Sequence, residues 1–504
     1  MKKNISNDDE SELLSSSAWK SLRNPSLFYA SADLQYVAIT YQHKDSYVEY
    51  LRTFSVSMFR TNDSQQVFSP GFPEEGILKI KWDSVGHKMA YVYDFNVFLL
   101  LNFSSSPIQI TEDGKNNIIA NGISDITNDD ALMWWSPNGT YLAYVKSNQT
   151  GVERFEFPYY GGSQYPTMVS YPYPKPGKLI SKTLIFIINV ENPTESFEVI
   201  PSDSVTGWGE YYLNSVVWKN DQIFMPTWKN RLQNEAISES CISISNLWTC
   251  NHVSEDVIIG HNSWLGEFEP SDLYPIPNTN EYLTVRENSL GYLHLVLVNR
   301  TKNSLDWRTN GTFEVVHRSP AGEALHFYDK RNDYAYFTST EVEGTEDGLP
   351  RIRHLWKVKA HGDRTRECVS CDLNTIYADR CNWVDPTFSP EGSYVVINCG
   401  GTGNGVPVST LHHISDFGEV SLQRVVENNT QIIENLEAYK FRTREYGELS
   451  LPQVDDEVFY YTLHIPQLQF KQKISIAGSC LFRPWLPRHN RFLHFDMADR
   501  LHTK

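Results

Sequence analysis

The segments WDSVGHKMAYV (82–92), WSPNGTYLAYV (135–145) and FSPEGSYVVI (388–397) decide how this chain folds, and a weaker copy, SADLQYVAI (31–39), belongs with them. Each reads as a turn followed by a strand. The dipeptides Val85-Gly86, Asn138-Gly139 and Glu391-Gly392 supply the backbone freedom of a tight reversal, and the alternating residues behind them would bury one face. Degenerate copies stand at WKNDQIFM around Asn220, PNTNEYLTV around Thr279 and KRNDYAYFT around Asn332. The turns therefore fall near 33, 85, 138, 220, 279, 332 and 391, at nearly regular intervals. A repeat of that length, with several strands and no helical period, matches one blade of a β-propeller, in which four-stranded sheets pack radially. The expected fold class is all-β, a β-propeller with about seven blade repeats visible.

The interval from the turn near 138 to the one near 220 is longer than the others, and its excess falls on FEFPYYGGSQYPTMVSYPYPKPG (155–177), which reads as an extended arm. Such an arm either contacts a partner or packs on its own blade. Composition agrees with strands and turns: 28 Tyr, 25 Phe and 13 Trp stand against 7 Met. The net charge of −17 carries no long acidic run, which suits a solvated surface and argues against a nucleic-acid partner. No apolar stretch is long enough to span a bilayer, so neither a membrane span nor a signal peptide is expected within this sequence. Positions 471–504 carry a charge of +5 while 1–470 sum to −22, so the end of the chain reads as an unrelated basic tail.

Seven cysteines occur, and six of them stand in close sets: Cys241 with Cys250, Cys368 with Cys371, and Cys381 with Cys399 around one strand pair. CVSC has no second CxxC and no histidine at a supporting spacing, so local disulfides are preferred over zinc, and no metal or cofactor is expected. Cys480 stands alone. Sequons at Asn4, Asn62, Asn102, Asn138, Asn148, Asn299, Asn310 and Asn428 suit an extracellular glycoprotein.

WWSPNGTYLAYV (134–145), QYPTMVSYPYPKPG (164–177), WKNRLQN (228–234), EGILKIKWDSVGHKMAYV (75–92) and CVSCDLN (368–374) together resemble the dipeptidyl peptidase IV family, over about residues 24–469. The resemblance implies an eight-bladed propeller, here with an incomplete first blade, joined to an α/β-hydrolase that removes N-terminal dipeptides with Pro or Ala second. It also implies the pairings Cys241–Cys250, Cys368–Cys371 and Cys381–Cys399. The boundaries expected are a polar N-terminal tail (1–25), the propeller (26–440), the first hydrolase strands (441–470) and the basic tail (471–504). No G-x-S-x-G occurs, so no nucleophile elbow presents a serine to a base, and YGGSQY and GGTGNG read as turns.

By the same resemblance, the propeller should hold the substrate amine with two acids before the WWSPNG strand and a carbonyl with an arginine. ISDITNDDALMWW (123–135) is a shortened interval that offers Asp129 and Asp130 as anchor remnants. SPGFPEEG (69–76) has no arginine and puts Phe72 near that place, and Glu267 or Glu269 stands where a second arginine is expected. The functional expectation is a non-catalytic, extracellular or membrane-associated propeller that takes a peptide or protein ligand and dimerises weakly or not at all. The alternative is a truncated isoform of a serine exopeptidase.

Overall fold

The computed structural model describes residues 2–3, 10–11, 13–46, 51–124, 131–162, 164–244, 247–260, 264–265, 273–316, 325–345, 348–349, 351–377, 380–401, 405–436, 438–439, 443–450, 458–465 and 492–496. The chain divides into two compact units, Met1–His252 and Val253–Lys504. Among the described residues, no helix is long and apolar enough to cross a membrane.

In the first unit, Pro25–Ala30, Tyr36–Ser46, Leu51–Arg60 and Gln66–Val67 pair in chain order as an antiparallel meander. The next meander is Ile77–Trp82, Met89–Tyr93, Asn96–Leu100 and Ile108–Gln109. Met133–Trp135, Tyr141–Asn148, Lys182–Asn189 and Asn192–Ile200 form the third. Tyr211–Asn220, Ile223–Asn230, Ser240–Ile244 and Leu247–Asn251 form the fourth.

The second unit repeats the plan three times. Its sheets start at Tyr274–Pro275, Leu325–Asp329 and Trp383–Phe388, and each has four strands in sequence order. All seven turns read from the sequence join the first and second strands of one of these meanders.

The turn chemistry explains the repeat. Ser31, Ser136 and Ser389 each donate a backbone N–H to the carbonyl five positions on (Tyr36, Tyr141, Tyr394) at 2.9 Å. Their carbonyls accept from the N–H three positions on (Leu34, Gly139, Gly392), also at 2.9 Å. Each hydroxyl then accepts from the N–H of the same tyrosine at 3.0 to 3.1 Å. The third residue after the serine is left-handed, with φ of 57° at Leu34, 67° at Gly139 and 68° at Gly392. Glycine carries that conformation at little cost, and the weaker copy tolerates leucine there.

Gly86 differs from the expectation, because its backbone is not left-handed. Asp83 heads this turn, keeps the 2.9 Å bond to the Lys88 carbonyl, and accepts the Gly86 N–H at Oδ1 (3.1 Å). Burial pushes the Asp83 carboxyl up from its ordinary value against that hydrogen bond.

The strands behind the turns were expected to bury one face. Instead Met89–Tyr93 and Tyr334–Ser339 are buried at nearly every position, and Tyr141–Asn148 is buried on both faces through its centre, Leu142 to Val145. These are inner strands of their sheets, and side chains of adjacent sheets cover both of their faces, so each side of the pleat meets a core. Alternation survives at Leu247–Asn251, and Val420–Glu427 is mostly exposed.

Neighbouring sheets are also tied by polar bonds. Trp82, Trp135 and Trp218 each donate the indole N–H to a carbonyl of the preceding sheet, at Tyr29 (3.0 Å), Lys81 (3.3 Å) and Trp134 (3.2 Å). The turns touch in the same order: His87 meets Asp33 (2.7 Å), Ser84 donates to the Ser136 carbonyl (2.9 Å), and Asn138 donates its N–H to Asp221 (3.0 Å). In the second unit, fully buried Arg308 donates to the carbonyls of Lys359, Gly362 and Asp363 of the following sheet. Arg353 reaches the Val384 carbonyl and Asp385 with its guanidinium 4.3 Å above the Trp383 ring.

Part of the polar stretch expected as a tail is folded: Ser16–Lys20 forms a helix capped by Ser15, with Ala18 buried against Val37, Ile39 and Phe59. Near the other end, Thr443–Ser450 and Val458–Ile465 form an antiparallel pair, and Phe492–Asp496 joins the second of them in parallel.

Two outcomes follow from this packing. A Cβ at Gly392 would lie 2.1 Å from Phe327 Cε1 in a left-handed backbone, so Gly392→Ala should destabilise the chain by about 1–3 kcal/mol in urea unfolding. His361 donates to Glu281 and Asp333, both at 2.9 Å, and Asp333 also accepts from Tyr328. Burial pushes the His361 imidazole down, but the bonds to the two carboxylates outweigh it and hold the pKa above its ordinary value. The charged ring therefore stabilises the fold fully below the unfolded pKa of about 6.5, and that contribution fades as pH rises through the folded value. With the ring 41% exposed, it amounts to less than about 1 kcal/mol, and His361→Gln should flatten the corresponding slope of stability against pH.

Candidate functional site

Asp129 and Asp130 lie outside the described residues, as do Glu267, Glu269, Cys480 and Asn4. The residues on either side of the interval that holds the two aspartates are defined. Ile123 and Ala131 form an antiparallel bridge, Gly122 donates to the Val145 carbonyl (2.7 Å), and Leu132 donates back to Gly122 (2.9 Å). A Cβ on Gly122 would come within 2.8 Å of Val92 Cγ2, so only glycine lets the chain leave the sheet this close to the core.

Phe72 sits in a turn, its N–H bonded to the Ser69 carbonyl (3.1 Å). Its ring is partly buried and lies 4.8 Å from that of Tyr91. The side chain at this place is used in packing and offers no charge to a substrate.

The arm carries several exposed large apolar side chains. Arg154–Tyr159 and Thr167–Pro172 form a two-stranded antiparallel sheet that, among the described residues, pairs with no other strand. Two strands alone are marginally stable, and ring contacts support these. Phe155 lies 5.9 Å from Phe157 and from Tyr171 and 6.1 Å from Tyr173. Arg154 locks the base by donating to Ser170 Oγ (2.8 Å), the Ser170 carbonyl (2.7 Å) and the Asn117 carbonyl (3.4 Å). Beyond that base, Tyr159, Tyr160, Tyr165 and Met168 are exposed, Tyr160 to 78%. The sequence locates the arm, but nothing in it marks Arg154 as the anchor.

Three disulfides are present, Cys241–Cys250, Cys368–Cys371 and Cys381–Cys399. His354, Cys368 and Cys371 place one ligand atom each within 4.8 Å of one another. Sequence spacing missed His354, which belongs to the strand before the one that carries Cys368. The strand register finds it, because Trp356 faces Cys368 across the sheet and the ladder carried on brings His354 beside Ser370, to whose hydroxyl its Nδ1 is bonded (3.2 Å). Burial holds the His354 imidazole down at about 4, so the ring is neutral near pH 7. Glu239, Cys241 and Cys250 form a second such group, but it is fully buried, and Glu239 accepts from Trp228 Nε1 and the Ser202 N–H.

Among the sequons, Asn62, Asn102, Asn138, Asn310 and Asn428 are exposed, and Asn148 and Asn299 half-buried. Asn299 already donates its amide to Glu281 (2.5 Å).

Comparison with known proteins identifies this framework. The family described as "Dipeptidyl peptidase IV (DPP IV) N-terminal region" matches residues 31–406. Dipeptidyl peptidase 4 of Bos taurus is 28% identical over 454 residues, covering 87% of this chain and 56% of that protein. Inactive dipeptidyl peptidase 10 of Mus musculus is 27% identical over 491 residues, covering 95% of this chain and 58% of that protein. Among solved structures, dipeptidyl peptidase 4 of Porphyromonas gingivalis superposes with a TM-score of 0.71 at 18% identity, covering 91% of this chain and 60% of that one. The chain thus spans somewhat over half the length of these relatives. With seven turn-headed meanders inside or flanking the matched span, the chain belongs to the dipeptidyl peptidase IV family through its N-terminal, propeller-forming region.

Proposed function

We propose that this chain acts as a non-catalytic, dipeptidyl peptidase IV-like binding module, exposed to an oxidising compartment, that engages a protein or peptide partner through its aromatic arm. The observation that carries the reading is the arm itself: a hairpin paired with no other described strand, with Tyr159, Tyr160, Tyr165 and Met168 turned to solvent. Exposed aromatic and methionine side chains on a built, anchored element are what a protein interface uses. The packed ring of Phe72, which stands where the family resemblance places a guanidinium, supports the same reading. One relative is itself named an inactive dipeptidyl peptidase.

The three disulfides and the exposed sequons favour the extracellular side or its membrane surface, with glycans at the exposed asparagines. A second reading rests on length: the chain covers 56% of the bovine enzyme, so it is also read as the propeller portion of a serine exopeptidase whose chemistry belongs to a hydrolase portion.

Two experiments test the first reading. The purified chain should release no product from a Gly-Pro dipeptide reporter and should sediment as a monomer; turnover would end the non-catalytic reading, and a tight dimer would show that the propeller region self-associates without a hydrolase. Replacing Tyr160 and Met168 together by serine should change unfolding free energy by no more than about 0.5 kcal/mol, as exposed sites do. The same double variant should abolish the adduct formed by a photo-crosslinking residue placed at Tyr159 on the secreted chain. An adduct that survives the change, or none with the parent chain, would remove the arm from the proposal.

A further inference from the structure

We propose that Cys368, Cys371 and His354 form a redox-gated metal site, closed as a disulfide under oxidising conditions and able to take Zn²⁺ once the disulfide is opened. The three residues reach one point from two strands and a short helix: His354 from His354–Lys359, Cys368 from Glu367–Cys368, and Cys371 from Cys371–Ile376. One ring nitrogen and both sulfurs already lie within 4.8 Å of one another. A tetrahedral zinc ion needs its ligands about 3.5–4 Å apart, given bonds of roughly 2.0–2.3 Å. The bonded sulfurs must separate to reach that spacing, and two intervening residues are the usual spacing for a pair of zinc thiolates.

The surroundings also suit a ligand. The Ser370 hydroxyl bonds His354 Nδ1 (3.2 Å) and accepts the Leu355 N–H (2.9 Å), which restrains the ring. A hydrogen bond on one imidazole nitrogen is the usual way a protein orients the other toward a metal. His354 is buried while Cys368 and Cys371 are only half-buried, so a reductant and an ion can reach the sulfurs. The Cys241–Cys250 pair is less open, being buried together with Glu239.

A bridge across a sequence separation of 3 also restrains the unfolded chain less than the one across 18 between Cys381 and Cys399. Stability alone is therefore a weak reason for it. In the opening step a dithiol reductant gives two electrons and two protons to Cys368–Cys371 and becomes a disulfide, leaving two thiols. Zn²⁺ then binds both sulfurs as thiolates, releasing those two protons, and His354 binds through a ring nitrogen lone pair. The fourth position is left to water.

The test uses the full chain and Co²⁺ as a spectroscopic stand-in for Zn²⁺. After treatment with dithiothreitol and desalting without oxygen, it should take one equivalent of Co²⁺ with a thiolate-to-metal charge-transfer band that Zn²⁺ abolishes. The oxidised chain should show no band. Cys368→Ser with Cys371→Ser retains the other two disulfides and should also show none. Loss of a mere outer-sphere partner costs metal sites about 10–100-fold in affinity, so His354→Asn should weaken Co²⁺ at least tenfold. Thermal unfolding of the oxidised His354→Asn chain serves as the check that it folds. A band that persists in the double serine variant, unchanged affinity in His354→Asn, or a Cys368–Cys371 bond that dithiothreitol cannot open in the folded chain would each overturn the proposal.

Discussion

A single backbone bond closes most of the reversals: the N–H of the residue heading the turn donates to the carbonyl five positions on, at 2.9 Å for Ser31, Asp83, Ser136, Ile276 and Ser389 alike. That bond sets the register of the first strand pair. The register decides which side chains meet the neighbouring sheets, and the inner strands then bury both faces. A serine or aspartate at the head strengthens the closure because its side chain accepts a second N–H that would otherwise be unsatisfied. The wider architecture grows from these closures by repetition, with tryptophan and arginine donors tying each sheet to carbonyls of a neighbour.

The arm breaks this pattern. The four-stranded sheets share cores with their neighbours, whereas the arm carries its own ring contacts and the Arg154 lock at its base. Its exposed rings stand in contrast to the buried donors that join the sheets. On a chain this acidic, an exposed aromatic element of this kind is a place where association can occur.

Much of this was legible in the sequence because turn chemistry is local. Gly139 and Gly392 announce left-handed positions, and the near-regular recurrence of the turns announces repeated sheets. Gly86 looks equivalent to them, yet the Asp83 carboxylate does the holding there, a choice that spacing does not encode. Burial on both faces was not visible either, since alternation within a strand says nothing about how many sheets will cover it. The candidate site was legible only in outline. Phe72 could be placed in the sequence, but its use in packing depends on Tyr91 of a later strand, and His354 approaches the cysteines only through cross-strand register.

The indole ties join residues 53, 54 and 84 positions apart, each from one sheet to the sheet before it. During synthesis, then, the tryptophan that fastens a sheet has not yet been made when that sheet's first strand emerges. At about 5–20 residues per second, a tie of roughly 53 residues leaves the waiting sheet unfastened for about 3–10 s. The sheet that carries the arm waits longest, so the ribosome exposes one open face there for more time than anywhere earlier in the first unit.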